Sequence, residues 1–308
     1  MKVFITGVLG FIGASLAERY RANGHIVAGL DAMAGVDDGD IVAGDVSEPG
    51  DWLEVAAGCD LVIHTAAIVN NHASRDDFWR VNVLGTKRAV QAAAGTRTRR
   101  LVSLSSVRAF SDVDFPDGVD ESWPVRPDGH QYVDTKVAGE QVVLQAHAAG
   151  EVDATVIRPG DVYGPRSVPW TIWPATGMGA GTFVLPAEAG VFSPVYVDNL
   201  VDGILAAASD AGSGQVFTIS DGVGIPNEEF FGHYARMLGI DLPTMPAEQV
   251  RQRFADLGLG AETVDYFLRT GTYSIAKART VLGYHPAVEI GEGMRRTEVW
   301  LRAQGLLG

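Results

Sequence analysis

The chain has 308 residues, enough for one large domain or two, and its 46% apolar and 20% charged residues match an ordinary globular protein. With 38 acidic against 24 basic side chains the formal net charge is −14, which argues against nucleic acid or an anionic membrane as partner, since both need clustered cations. The lone cysteine, Cys59, excludes an internal disulfide framework and a multi-cysteine metal site, and fits a reducing, cytoplasmic compartment.

At the N-terminus, Lys2 and the uncharged run from Val3 to Ala17 imitate a secretion signal, but Gly7, Gly10 and Gly13 punctuate it at three-residue spacing. It is also shorter than the ~18 residues of a membrane span. It reads as strand, turn and helix. Short apolar runs then recur at Val3–Thr6, Ile26–Asp31, Ile41–Ala43, Leu61–Thr65, Leu101–Ser105 and Ala154–Arg158. Helical-length segments such as Gly13–Asn23, Asp76–Ala94 and Tyr132–Ala148 lie between them. Alternation of this kind predicts an α/β fold with a doubly wound parallel sheet covered on both faces. After Pro165 the pattern loosens into a Pro- and Gly-rich stretch carrying Trp170, Trp173, Phe183 and Phe192. Beyond Ile225 the chain turns mainly helical, with Asn227 as expected N-cap and Gly239 as C-terminal stop.

Thr6-Gly7-Val8-Leu9-Gly10-Phe11-Ile12-Gly13 sits between a strand and a helix. There Gly7 makes the turn, Gly10 admits a pyrophosphate to the backbone, and Gly13 packs helix on sheet. Asp31 ends the second strand 24 residues after Gly7, close to the ~20 at which a carboxylate binds the adenosine ribose hydroxyls and repels a 2′-phosphate, predicting NAD over NADP, with a plain strand-ending turn residue as the alternative. Asp45 is a candidate for the adenine amino group, or a plain turn residue. His64 reads as a hydrogen-bonded core histidine, and the seven scattered histidines show no metal-ligand spacing.

Tyr132 and Lys136 fall on one face of a helix at i,i+4. A phenol with a pKa near ~10 must shift by ~3 units, about 4 kcal/mol, to act as a base near neutrality. A nearby ammonium supplies roughly that much, which makes Tyr132 the general acid/base and Lys136 its tuner and ribose anchor. Ser105-Ser106 ends the preceding strand, where a hydroxyl can polarise the substrate oxygen.

On these residues the chain resembles the extended short-chain dehydrogenase/reductase, or NAD-dependent epimerase/dehydratase, family over essentially its whole length. Asn82–Thr86, Arg158-Pro159 through Tyr163-Gly164-Pro165, Val195–Leu200 and Leu282–Pro286 extend the match. The resemblance implies a Rossmann domain over residues 1–165, with 192–222 returning to it, and a smaller, mainly helical substrate lobe from 166–191 and 223–308. It makes Ser106, Tyr132 and Lys136 the catalytic set. It lines the cofactor with Gly7, Gly10, Phe11, Ile12, Gly13, Asp31, Asp45, Val46, Thr65, Ala66, Ala67, Asn82, Tyr132, Lys136 and Pro159. A homodimer through the helices near 76–94 and 132–148 is also implied.

Asp161 stands where nucleotide-sugar members of the family carry a diphosphate-binding asparagine, so a carboxylate is expected to repel that substrate. Val107-Arg108 after Ser106 removes the acid and base of a sugar dehydratase, and Arg108 is expected to be a solvated surface residue, with contact to a substrate anion near the pocket as its alternative. The segment Ser193–Asp202 resembles the 3β-hydroxysteroid and sterol dehydrogenase branch. Trp170, Trp173, Met178, Phe183 and Phe192 are candidates for an apolar pocket, with ordinary core an equal alternative. The leading expectation is hydride transfer between NAD and a secondary alcohol or ketone of an apolar small molecule. A nucleotide-sugar epimerase with retained NAD comes second, and a non-catalytic dinucleotide sensor third.

Overall fold

The structure, a computed structural model, describes residues 1–35, 39–69, 73–97, 99–111, 116–258 and 262–307. Seven strands form the central sheet: β1 (Lys2–Thr6), β2 (Ile26–Asp31), β3 (Ile41–Ala43), β4 (Leu61–His64), β5 (Arg100–Leu104), β6 (Asp153–Pro159) and β7 (Val216–Ile219). Their order is β3-β2-β1-β4-β5-β6-β7 and every pairing is parallel. The doubly wound α/β fold is therefore as expected.

β1 shows why the strands read as unbroken apolar runs. Val3 and Ile5 enter the apolar layer on one face, while Phe4 enters the layer on the other beside Trp52, Val90 and Val143. A sheet buried on both faces needs apolar side chains at every position rather than at alternate ones. The chain order reverses between β1 and β4, opening a crevice at the carboxyl ends of the strands where ligands bind in such sheets.

Helix α1 (Phe11–Ala22) follows β1 and buries Leu16, Ala17 and Tyr20 on the sheet. The rod expected at Asp76–Ala94 is interrupted. An α-helical turn over Arg75–Trp79 passes through a π-turn, Arg80–Leu84, into helix Gly85–Gly95. Ser74 starts it, accepting a hydrogen bond from the Asp77 amide. At Gly85 a Cβ would lie 2.7 Å from Val46 Cγ1, so close approach to the loop after β3 requires glycine there. Helix Gln131–Ala148 carries the Tyr132/Lys136 face.

Beyond β6 the chain builds a second apolar cluster. Phe192 and Phe230 stack at 3.9 Å between centroids, and Trp170 meets Phe192 edge-on at 5.1 Å. Met178, Phe183 and Phe192 are buried in this cluster, with Trp170 and Trp173 packed against it. The aromatic residues considered as a pocket lining are thus core. The stretch after Pro165 is also more ordered than its composition implied, with a π-turn (Val168–Ile172), a helix (Trp173–Gly179) and short paired strands.

Asn227 does not cap its helix. Pro226 occupies that position, and the Asn227 side-chain amide donates to the Phe267 carbonyl instead. Gly239 does close the helix, in the left-handed conformation at φ +69°.

Candidate active site

The glycine-rich turn crosses the carboxyl end of β1. Gly7 adopts φ +70°, and a Cβ on it would sit 2.9 Å from Ala66 Cα. One on Gly13 would overlap the Gly7 carbonyl oxygen, so α1 approaches the turn this closely only with glycine there. α1 opens at Gly10 with no side chain capping its first N–H groups. An uncapped helix start above a cradle of backbone fits a diphosphate. Phe11 and Ile12 form the first turn, Phe11 packing toward the second cluster and Ile12 toward the sheet core.

Asp31 braces this turn: its carboxylate accepts the Leu9 amide and the Met33 amide, each at 2.9 Å. Across the crevice, Thr65 Oγ1 donates to the Thr6 carbonyl at 2.7 Å and the Ala66 amide donates to Thr6 Oγ1 at 3.3 Å. Thr65 and Ala66 are thereby held against the glycine turn. Pro159 lies buried at the end of β6, beside Gly160, where a Cβ would come 2.5 Å from the Ser193 carbonyl oxygen.

Three expected cofactor residues have structural partners of their own. Asp45 accepts from the Ser47 amide at 2.8 Å and hydroxyl at 2.7 Å, and pairs with Arg80. Burial pushes this carboxyl upward, but Ser47 and Arg80 together outweigh it and hold it below the usual range. Val46 is buried against Gly85. Asn82 spends its amide on neighbours: Oδ1 accepts the Ile68 amide at 2.7 Å, and Nδ2 donates to the Ile68 carbonyl and Thr135 Oγ1, both at 3.1 Å. It ties the loop after β4 to the Tyr132 helix. His64 is a neutral core residue between Thr6 Oγ1 (2.8 Å) and Thr86 Oγ1 (3.0 Å). Burial, reinforced by the Lys136 charge, pushes its pKa down to about 3.

The serine, tyrosine and lysine converge where β5 ends against helix Gln131–Ala148. Ser106 is 8% exposed and starts the 3₁₀ turn Val107–Phe110, its Oγ accepting the Arg108 amide at 3.1 Å. That bond occupies a lone pair and leaves the hydroxyl proton to donate. Lys136 Nζ lies 5.7 Å from the Tyr132 ring centroid and donates to the Leu104 carbonyl at 3.0 Å. Burial pulls its pKa down to about 8. Ser105 Oγ is buried with no hydrogen-bond partner among the described residues, in a small cavity also lined by His64, Asn82 and Lys136.

Two residues singled out by sequence behave differently from expectation. Arg108 is half-buried rather than solvated, with its guanidinium carbon 5.2 Å from the Tyr132 centroid and 5.1 Å from that of Tyr266. Asp161 is 4% exposed and is no bare carboxylate. It accepts the Tyr266 hydroxyl and, at 3.1 Å, the Ser193 amide, with Arg269 at 3.7 Å. Arg269, itself buried, stacks 3.6 Å from the Tyr266 centroid and donates to the Tyr273 hydroxyl at 3.0 Å. The expected repulsion of a diphosphate is therefore offset locally. No spacing rule pointed to Tyr266 or Arg269, because they join Asp161 across more than a hundred residues.

Comparisons with known proteins bear on the family and the fold. The model of the NAD dependent epimerase/dehydratase family matches residues 3–220. The UDP-glucose 4-epimerase of Mycolicibacterium smegmatis is 28% identical, with 98% of this chain and 99% of that protein covered. A human sterol-4-alpha-carboxylate 3-dehydrogenase, decarboxylating, is 26% identical over 95% of this chain and 86% of its own. Among solved structures, the UDP-glucuronic acid 4-epimerase of Bacillus cereus, in complex with UDP-glucuronic acid and NAD, superposes with a TM-score of 0.82. It is 19% identical, with 99% of this chain and 100% of that one covered, which shows a common fold. The chain is an NAD-dependent enzyme and belongs to the NAD dependent epimerase/dehydratase family.

Proposed function

We propose that this enzyme moves a hydride between NAD and a secondary alcohol or ketone of an apolar small molecule, hydroxysteroid-like in character. Residues 166–191 and 223–308 would supply most of the substrate side. The observation that carries the reading is Lys136 Nζ lying 5.7 Å from the Tyr132 ring centroid, on a helix packed against the turn that Ser106 starts. When bound, NAD supplies the hydride acceptor or donor. Tyr132 exchanges the hydroxyl proton, Ser106 donates a hydrogen bond to the same oxygen, and Lys136 stabilises the phenolate. Asp31, beside the turn, accepts the ribose hydroxyls.

The apolar substrate is favoured because Asp161 offers no amide donor to a diphosphate: its oxygens already serve Tyr266 and Ser193. A nucleotide-sugar epimerase is the second reading, favoured by Arg269, which offsets the charge that would have repelled such a substrate. We place the protein in the cytoplasm as a homodimer, a reading supported by Trp79 and Leu84, which stay exposed on the Arg75–Gly95 rod.

NADH absorbance, followed with NAD across hydroxysteroids, other apolar secondary alcohols and nucleotide sugars, separates the readings. Net NADH with an apolar alcohol supports the first. Epimerisation of a UDP-sugar detected by chromatography, without net NADH, overturns it in favour of the second.

A further inference from the structure

Arg108 touches both halves of the proposed chemistry from one position. Its backbone amide holds Ser106 Oγ at 3.1 Å, and its guanidinium lies 5.2 Å from the Tyr132 ring centroid. The same guanidinium reaches Tyr266, 5.1 Å away, whose hydroxyl is anchored on Asp161 and whose ring carries Arg269. A planar, delocalised cation can lie against two rings at once, which the point charge of a lysine cannot do as well.

We propose that Arg108 is a positioning residue for Tyr132, supplying a permanent second positive charge to the phenolate and, braced by Tyr266 of the smaller lobe, fixing the ring's orientation. The inference rests on Tyr132 being the acid/base. Several elements bring groups to face Tyr132. Its own helix contributes Lys136, and the cap contributes His130, whose Nδ1 accepts the Tyr132 amide at 3.2 Å. Asp134 is turned to the amides of Asp128 and Gly129. The turn after β5 contributes Ser106 and Arg108, and the lobe contributes Tyr266 backed by Asp161 and Arg269.

Two cations then divide the work. Burial pulls the Lys136 pKa down to about 8, whereas a guanidinium stays charged throughout the working range. Arg108 keeps the tyrosine supported where Lys136 has begun to fail.

The test needs no substrate. Phenolate absorbance is titrated in the full-length wild type and in Tyr132→Phe, and the difference isolates Tyr132 from the other tyrosines. The wild-type midpoint is expected below the ordinary ~10. Arg108→Gln and Arg108→Met, each measured against its own Tyr132→Phe double variant, are expected to raise it by roughly one unit, with Arg108→Lys moving it less. The methionine keeps a long stem against both rings, so it reads the charge even where glutamine loosens the turn. A midpoint depressed in wild type and unchanged in both neutral variants overturns the role of Arg108 alone. A wild-type midpoint at the ordinary phenol value overturns the Tyr132 assignment, and the role of Arg108 with it.

Discussion

The interior of the sheet half and its border with the smaller lobe bury charge in different ways. In the sheet half, Glu140 grips Arg158 through both carboxylate oxygens, with the two side chains 0% and 5% exposed. That pair fastens the Tyr132 helix to β6. Where the lobe meets the sheet half, Asp161 is shared among the Ser193 amide, the Tyr266 hydroxyl and a more distant Arg269, whose own donors also reach Tyr273. A closed pair acts as a rivet, whereas a shared carboxylate divides its charge among several donors. Substitutions in the first region should read as stability, and those in the second as selectivity.

The largest expected effect lies in the glycine turn. Gly13→Ala drives a Cβ into the Gly7 carbonyl and should weaken NAD binding at least a hundredfold, about 2.7 kcal/mol, in calorimetric titration. Retained affinity would show that the turn shifts without cost. Next, Glu140→Gln strands a buried guanidinium and should cost about 3–5 kcal/mol, seen as a melting temperature lower by on the order of 10 °C. Asp161→Asn keeps a hydrogen-bond acceptor for Tyr266 and should cost only about 1 kcal/mol. Equal losses in these two variants would erase the contrast. The same Asp161→Asn change should tighten a UDP-sugar about tenfold, measured by competition with a panel substrate, because an amide donor replaces a carboxylate.

A separate set of signals lies in the pH dependence of stability. His64 is held neutral with its pKa pushed from 6.5 to about 3, so the unfolded chain binds the extra proton and stability rises as pH climbs between those values. Asp221 accepts from the Tyr196 amide and Asn199 Nδ2, and burial raises its pKa from 3.8 to about 7. There the native state binds the extra proton, and stability falls as pH climbs through that window. His64→Asn should remove the rising component and Asp221→Asn the falling one in denaturant titrations repeated across pH. An identical pH profile in both variants would falsify the opposed signs.

What could be read from the sequence follows the same division. The glycine turn, Asp31 and the Tyr132/Lys136 pair are set by local rules: a strand followed by a helix, a required φ, an i,i+4 face. Each such rule acts within a few residues, so spacing reveals it. Arg108 was misjudged because its partners, Tyr132 and Tyr266, are brought to it by the fold, and an arginine in a loop carries no mark of the rings it will meet. Asp161 was recognised by position, but its meaning changed once Arg269 and Tyr266 arrived from a distant segment. Trp170, Phe183 and Phe192 showed no period because they pack in one three-dimensional cluster rather than along one face of one element.

The placement of β7 bears on how the molecule can be cut. The strand that covers β6 enters the sheet only after the chain has built part of the lobe, pairing Val216 with Val156 and Ile219 with Pro159. A fragment ending near residue 165 would keep the glycine turn and the tyrosine helix, yet leave β6, apolar along most of its length, as a bare sheet border. Unpaired amides beside such side chains are a template for intermolecular strand addition. Exchanging the lobe between relatives to alter what the enzyme accepts therefore means transplanting a cassette that leaves residues 216–219 with the sheet.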